Sequence, residues 1–217
     1  MKVGTDGVLL GAWANVSKSK LICDVGTGTG LITIMAAQRN SNAQILAVEI
    51  DEKASAQATS NAQKCIWSNR IEVFHDDFNK ITLESRPDHF VSNPPFFNAD
   101  TLAHGESRIN ARQNVSLNIE QLLTSCKRLG SENHLISLII PIDLFEQSAN
   151  TYERYGYQLS RIRKVKPTPA KSAKRVLLEL SQKKGKLISE EDLIIETQRH
   201  VYTHEYIDLC RDFYLKM

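Results

Sequence analysis

The stretch ICDVGTGTGLIT, residues 22 to 33, constrains the fold more than any other part of the chain. An apolar run reaches Asp24; Gly26, Gly28 and Gly30 follow, and an apolar helical pattern then resumes. Glycines at this spacing let the backbone take left-handed turns and approach a ligand closely, while the next helix points its first amides at the same place. A strand, a glycine loop and a helix in that order begin a βαβ unit, which requires a parallel neighbour strand.

The sequence supplies the neighbours. KLICDV (20–25), QILAVEI (44–50), RIEVFH (70–75), DHFVSN (88–93) and HLISLIIP (134–141) are largely continuous apolar runs. That pattern predicts parallel strands covered on both faces. GLITIMAAQ, the alanine-rich EKASAQATSNAQKC and SLNIEQLLTSCKRLG carry helical spacing between them, the last with Ser116 as its start and Gly130 as its stop. GYQLSRIRKVK and KRVLLELSQKK, split by PTPAKSA, predict a closing hairpin. The expectation is an α/β, Rossmann-like sheet of seven strands, mostly parallel, with helices on both faces and a C-terminal antiparallel hairpin. This architecture resembles that of the class I S-adenosylmethionine (SAM)-dependent methyltransferases. No repeat or low-complexity linker interrupts residues 1–217, which predicts one domain. Within it, 1–19 form an N-terminal segment and 156–186 a basic hairpin.

Composition removes several classes. With 41% hydrophobic and 24% charged residues the chain is ordinary for a globular protein, and no apolar run is long enough to span a bilayer. Cys23, Cys65, Cys126 and Cys210 are far apart, with no CxxC or clustered histidines, which favours reduced thiols over disulfides or zinc. A cytoplasmic protein without metal or membrane contact is expected, and a monomer.

The glycine loop discriminates between ligands. A dinucleotide enzyme would show GxGxxG and put a pyrophosphate there. Here the third glycine comes one residue early, and Asp24 precedes the loop. A carboxylate repels a pyrophosphate but attracts a sulfonium and an ammonium, so the charge favours SAM. The form D-x-G-x-G-x-G resembles methyltransferase motif I. Glu49 closes the second strand, where an acid can accept ribose hydroxyls. Asp76 and Asp77 close the third. In the resembling enzymes an acid at this place binds the adenine amine, and Asp77 fits that register better. Phe78 is assigned either to the adenine or to the core.

NPPF, residues 93 to 96, ends the fourth strand. An amino group on a planar ring is a poor nucleophile with two hydrogens. The Asn93 side-chain oxygen and the Pro94 carbonyl can each accept one, turning the nitrogen lone pair towards a methyl donor. Pro94 and Pro95 stiffen the exit, and Phe96 can stack on the target ring. NPPF resembles the [DNS]PP[YFW] signature of amino-methyltransferases, which leaves adenine N6, cytosine N4, guanine N2 and a glutamine amide open. A non-catalytic RNA-binding scaffold and a nicotinamide oxidoreductase remain as more distant alternatives.

A longer resemblance narrows the choice. MKVGTDGVLLGAWA (1–14), the glycine loop, NPPFF, RVLLELS (175–181) and YTHEYIDLCRDFYLKM (202–217) resemble the bacterial tRNA(Val) adenine-37 N6-methyltransferase family over almost the whole chain. Two departures stand out: family members usually carry a short stretch before MKVGTDG, and Phe97 stands where tyrosine is common. The resemblance implies SAM as cofactor, a tRNA anticodon loop as substrate and an opening segment folded on the cofactor. Thr5 and Asp6 are its candidate contacts, with helix capping as their alternative role.

Charge adds a candidate RNA surface. RIRKVKPTPAKSAKR, residues 161–175, has seven basic side chains and no acid. Such a run is either a solvated face or a phosphate site. Arg161, Arg163, Lys171, Lys174 and Arg175 are the candidates, with Lys164 and Lys166 in the same run and Arg108 and Arg112 in reserve.

Overall fold

A computed structural model describes residues 4–94 and 118–216. The readings on Pro95, Phe96, Phe97, Arg108, Arg112 and Ser116 lie outside the described residues.

The chain opens with helix α1 (Thr5–Trp13), followed by β1 (Leu21–Val25), α2 (Leu31–Arg39), β2 (Gln44–Glu49), α3 (Glu52–Lys64), β3 (Ile71–His75) and β4 (His89–Ser92). After the undescribed stretch come α4 (Ile119–Leu129), β5 (Leu135–Pro141), α5 (Ile142–Arg154), β6 (Gln158–Lys166) and β7 (Arg175–Ser181). The short strands β8 (Ile188–Ser189), β9 (Leu193–Ile194), β10 (Glu196–Gln198) and β11 (Val201–Tyr202) lead to α6 (His204–Cys210).

The main sheet runs β3-β2-β1-β4-β5-β7-β6-β8, with β9 also on β6, so it has nine strands among the described residues rather than the seven expected. β1 to β5 pair in parallel, and β7 runs antiparallel between β5 and β6. Strand order reverses between β1 and β4, the switch point at which doubly wound sheets open a crevice for ligands. Neighbouring side chains face opposite ways. Ile22, Ile45, Val91 and Ile139 pack under α1 and α2, and Cys23, Val25, Phe90 and Ile136 pack under α4.

α1 is buried over most of its length because it lies between the sheet, α2 and α6. It runs alongside α2 at close range: a Cβ at Gly11 would sit 2.6 Å from the Met35 sulfur, so a larger residue there would force the Met35 side chain to move. The predicted hairpin is present, with β6 and β7 paired from Gln158↔Ser181 to Val165↔Arg175. The sequence reading leaves α5 unassigned, and it starts α4 too early. The Asn118 side chain caps α4 by accepting from Gln121 N, and Gln121 reciprocates.

A buried polar pair supports β4. His134 Nδ1 lies 2.7 Å from the Ser131 carbonyl, to which it can only donate. Its Nε2 therefore accepts from the Tyr157 hydroxyl at 2.7 Å, and its ring meets Phe90 edge-on at 5.2 Å. Tyr157→Phe leaves that nitrogen unpaired. It is expected to lower stability by ~1–3 kcal/mol, seen as a lower urea midpoint at unchanged slope. An unmoved midpoint would show the bond to be dispensable.

Candidate active site

The carboxyl ends of β1 and β4 meet at one point. Asp24 on β1 pairs in register with Val91 on β4, so Gly26 and Asn93 each leave their strands two residues later, side by side. The Ser92 hydroxyl, fully buried, donates to the Val25 carbonyl at 2.7 Å and staples the two exits together. Sequence reasoning missed Ser92; its small polar side chain beside NPPF is the only signal. Asn93 is half-buried and Pro94 buried at this edge.

The loop after β1 is held in a defined shape. Gly26, Gly28 and Gly30 have φ of +69°, +59° and +86°. Gly26 N and Thr27 N donate to the Val48 carbonyl at 2.9 and 3.1 Å. Gly28 N donates to Glu49 Oε2 at 2.7 Å, while Asp51 N donates to Glu49 Oε1 at 2.9 Å. Glu49 thus shapes the glycine loop, a role the sequence did not disclose. A Cβ at Gly26 would meet none of the described residues within 4 Å, which leaves open space against the backbone for a ligand.

Asp24 is the unusual group in the site. It is 1% exposed, and its Oδ2 accepts from Thr27 Oγ1 at 2.6 Å and Thr33 Oγ1 at 2.7 Å. Oδ1 is buried with no partner among the described residues. Burial pushes this carboxyl up to about 6, against the opposing pull of the two threonine hydroxyls. A buried acid with an unpartnered oxygen, under a glycine loop with open space beside it, fits a cationic ligand such as SAM. Thr27 and Thr33 are supporting residues that the sequence reading did not single out.

Other expected residues are placed differently. Asp76 is exposed, and its Oδ1 accepts from Asp77 N at 2.7 Å. Asp77, half-buried at the same sheet edge, accepts from Asn79 N at 2.9 Å and pairs with Lys80. Phe78 belongs to the core, edge-on to Phe90 at 6.0 Å. Ile50 follows Glu49 and is 49% exposed at the tip of β2. Neither Thr5 nor Asp6 caps α1, whose cap position is Gly4 with no side-chain bond. Asp6 instead accepts from Arg175 Nε at 2.7 Å, tying α1 to β7.

The basic run has compensating acids after all, drawn from outside it. Arg161 pairs with Glu190, lies 4.0 Å over the Trp13 ring and donates to the Trp13 carbonyl. Arg163 is 9% exposed, pairs with Glu205 and donates to the Glu191 carbonyl. Lys166 pairs with Asp192 at 2.7 Å. These side chains lock the C-terminal segment onto β6. Lys171 and Lys174 stand exposed in the β6–β7 turn, and Lys164 is exposed on β6.

The profile of the methyltransferase small domain family matches residues 4–115. Over its whole length the chain is 43% identical to a tRNA1(Val) (adenine(37)-N6)-methyltransferase of Flavobacterium psychrophilum, covering 94% of that protein. It is 45% identical to a protein of the same name from Phocaeicola vulgatus, covering 92%. Among solved structures, a predicted O-methyltransferase from Agrobacterium tumefaciens superposes with a TM-score of 0.70 at 21% identity, covering 95% of this chain and 96% of the other. That likeness establishes the class I methyltransferase fold. With a buried acid under a glycine loop and an Asn-Pro exit stapled beside it, the chain belongs to the methyltransferase small domain family and, within it, to the tRNA1(Val) (adenine(37)-N6)-methyltransferases.

Proposed function

We propose that this protein methylates the exocyclic N6 of adenine 37 in the anticodon loop of a valine tRNA, using SAM. The observation that carries the reading is the juxtaposition of the Asp24 glycine loop with Asn93 and Pro94 across the β1–β4 switch point. When bound, SAM supplies an electrophilic methyl on a sulfonium. Asp24, beneath the loop, balances its positive charge, and Glu49 and Asp77 offer acceptors for ribose and adenine amine. Ile50 offers an exposed apolar face to the adenine ring. Asn93 accepts one amine hydrogen of the target base through its side chain, and the Pro94 carbonyl accepts the other. Once methylated, the nitrogen becomes acidic and loses a proton to water, so no strong base is required. A loop base is already partly unstacked, which lowers the cost of bringing it to the clamp.

The direct experiment supplies the protein with methyl-labelled SAM and total RNA from cells lacking the enzyme, followed by nucleoside analysis. Labelled N6-methyladenosine in valine tRNA is expected. Labelled N2-methylguanosine, or label in protein, would overturn the substrate assignment.

Lys171 and Lys174 are proposed to bind phosphates, since the structure leaves both exposed while Arg161, Arg163 and Arg175 are engaged. Lys171→Ala with Lys174→Ala is expected to flatten the salt dependence of tRNA binding by roughly 0.7–0.9 in slope for each phosphate no longer neutralised, leaving SAM affinity alone. An unchanged slope would make this turn a solvated face.

A further inference from the structure

Residues 196–204 contribute neither to the main sheet nor to the methyl-transfer site. β10 and β11 pair as an isolated two-stranded ribbon closed by Arg199 and His200, with His200 at φ +65°. Two strands alone are marginally stable, so the ribbon depends on its root. There, Glu196 N donates to the Pro167 carbonyl at 3.0 Å and Thr203 N to the Ile195 carbonyl at 3.0 Å. Thr203 Oγ1 also donates to the Ile194 carbonyl at 2.6 Å. Beyond the root, residues 197–202 are all exposed, including Val201 and Tyr202.

Topology sets where this ribbon points. β6 is antiparallel to β7, which is antiparallel to β5, so β6 ends at the same sheet edge as β1 and β4. β9 runs parallel to β6, with Lys166 opposite Ile194, and the ribbon begins two residues later. The ribbon and the 167–174 turn therefore leave from the edge that bears Asn93. From β4 to β9 is four strand spacings, or about 19 Å.

The chemistry is that of a nucleic-acid contact. Residues 167–174 and 197–204 together contain Lys171, Lys174, Arg199, His200 and His204 and no carboxylate. Of the nearby acids, Asp192 and Glu205 are engaged by Lys166 and Arg163, and Glu196 stands at the root of the ribbon, opposite Tyr202 in register. Tyr202 leans on the buried Tyr206 with ring centres 5.1 Å apart, which fixes its ring while leaving it 41% exposed. Basic side chains without an ion pair among the described residues, beside a held, open aromatic, suit phosphates and an unpaired base.

We infer that the 196–204 ribbon is a second RNA contact. Arg199 and His200 bind phosphates, and Tyr202 stacks on a base, some 19 Å along the edge from the reacting adenine. This inference rests on the tRNA reading given under Proposed function.

The test measures binding of unmodified valine tRNA across a salt series, alongside SAM calorimetry and thermal melting. Arg199→Ala is expected to flatten the salt slope by roughly 0.7–0.9. Tyr202→Ala should weaken binding roughly 5–150-fold, the equivalent of removing one base stack, and Tyr202→Phe should restore it. SAM affinity should stay unchanged in all three. Unchanged tRNA affinity and slope in the Arg199→Ala and Tyr202→Ala proteins would overturn the inference, as would a Tyr202→Phe protein as weak as Tyr202→Ala. Wild-type methyl transfer, run in parallel, reports separately on the tRNA reading, because the binding comparison needs no turnover.

Discussion

Asn93→Ala is expected to lower the single-turnover rate of methyl transfer by on the order of 10²–10³, the usual loss when one oriented hydrogen-bonding group is taken from a transition state. The reason is geometric. Asn93 emerges beside Gly26, held there by the bond from Ser92 to Val25. Without its oxygen only the Pro94 carbonyl orients the target amine, and the lone pair no longer turns reliably towards the methyl. SAM affinity should hardly change, because the glycine loop and Asp24 keep their own partners. Asn93→Asp retains an acceptor oxygen and should lose much less. Near-wild-type turnover by Asn93→Ala would show that the residue only caps the strand.

Asp24→Asn is expected to separate stability from binding. The carboxyl titrates at about 6 in the folded protein against an ordinary 3.8, because burial disfavours its charge. Between those values the folded state holds a proton that the unfolded chain has released, so stability falls as pH rises through the window. Above pH 6 the penalty is complete, on the order of 3 kcal/mol. The asparagine protein should therefore melt higher than wild type at pH 7.5, with the difference vanishing below pH 4. Binding should move the other way. A cationic ligand favours the ionised acid, so wild-type SAM affinity should weaken as pH falls through about 6. The asparagine protein should bind SAM on the order of 100-fold more weakly at neutral pH, with little pH dependence over that range. Equal affinity with the wild-type pH profile would remove Asp24 from the cofactor site.

The parallel core, the glycine loop and the Asn-Pro exit were legible because each rests on local chemistry. Continuous apolar runs such as LICDV and HFVS are what two-sided burial demands, and positive φ at Gly26, Gly28 and Gly30 follows from residue type. Helix α5 was legible but passed over: Ile142, Phe145 and Tyr152 form an apolar stripe at helical spacing that packs against the core, interrupted only by the buried Ser148. The start of α4 was misread because Ser116 and Asn118 are both good caps by type, and only the reciprocal bond with Gln121 distinguishes Asn118.

Electrostatics divides the same way. Residue order alone shows that residues 161–175 carry seven cations and no acid, and that Asp24 precedes a glycine loop. Which of those charges remain available to a partner depends on how the chain folds. Glu190, Asp192 and Glu205 come to β6 from 26 to 42 residues downstream, and Asp6 reaches Arg175 from the other end of the chain. Spacing along the chain cannot reveal such pairs, because Coulomb attraction acts on distance in space and on the dielectric around each group. By the same physics, the burial that pushes the Asp24 carboxyl up to about 6 comes from packing around β1, not from Asp24 or its sequence neighbours.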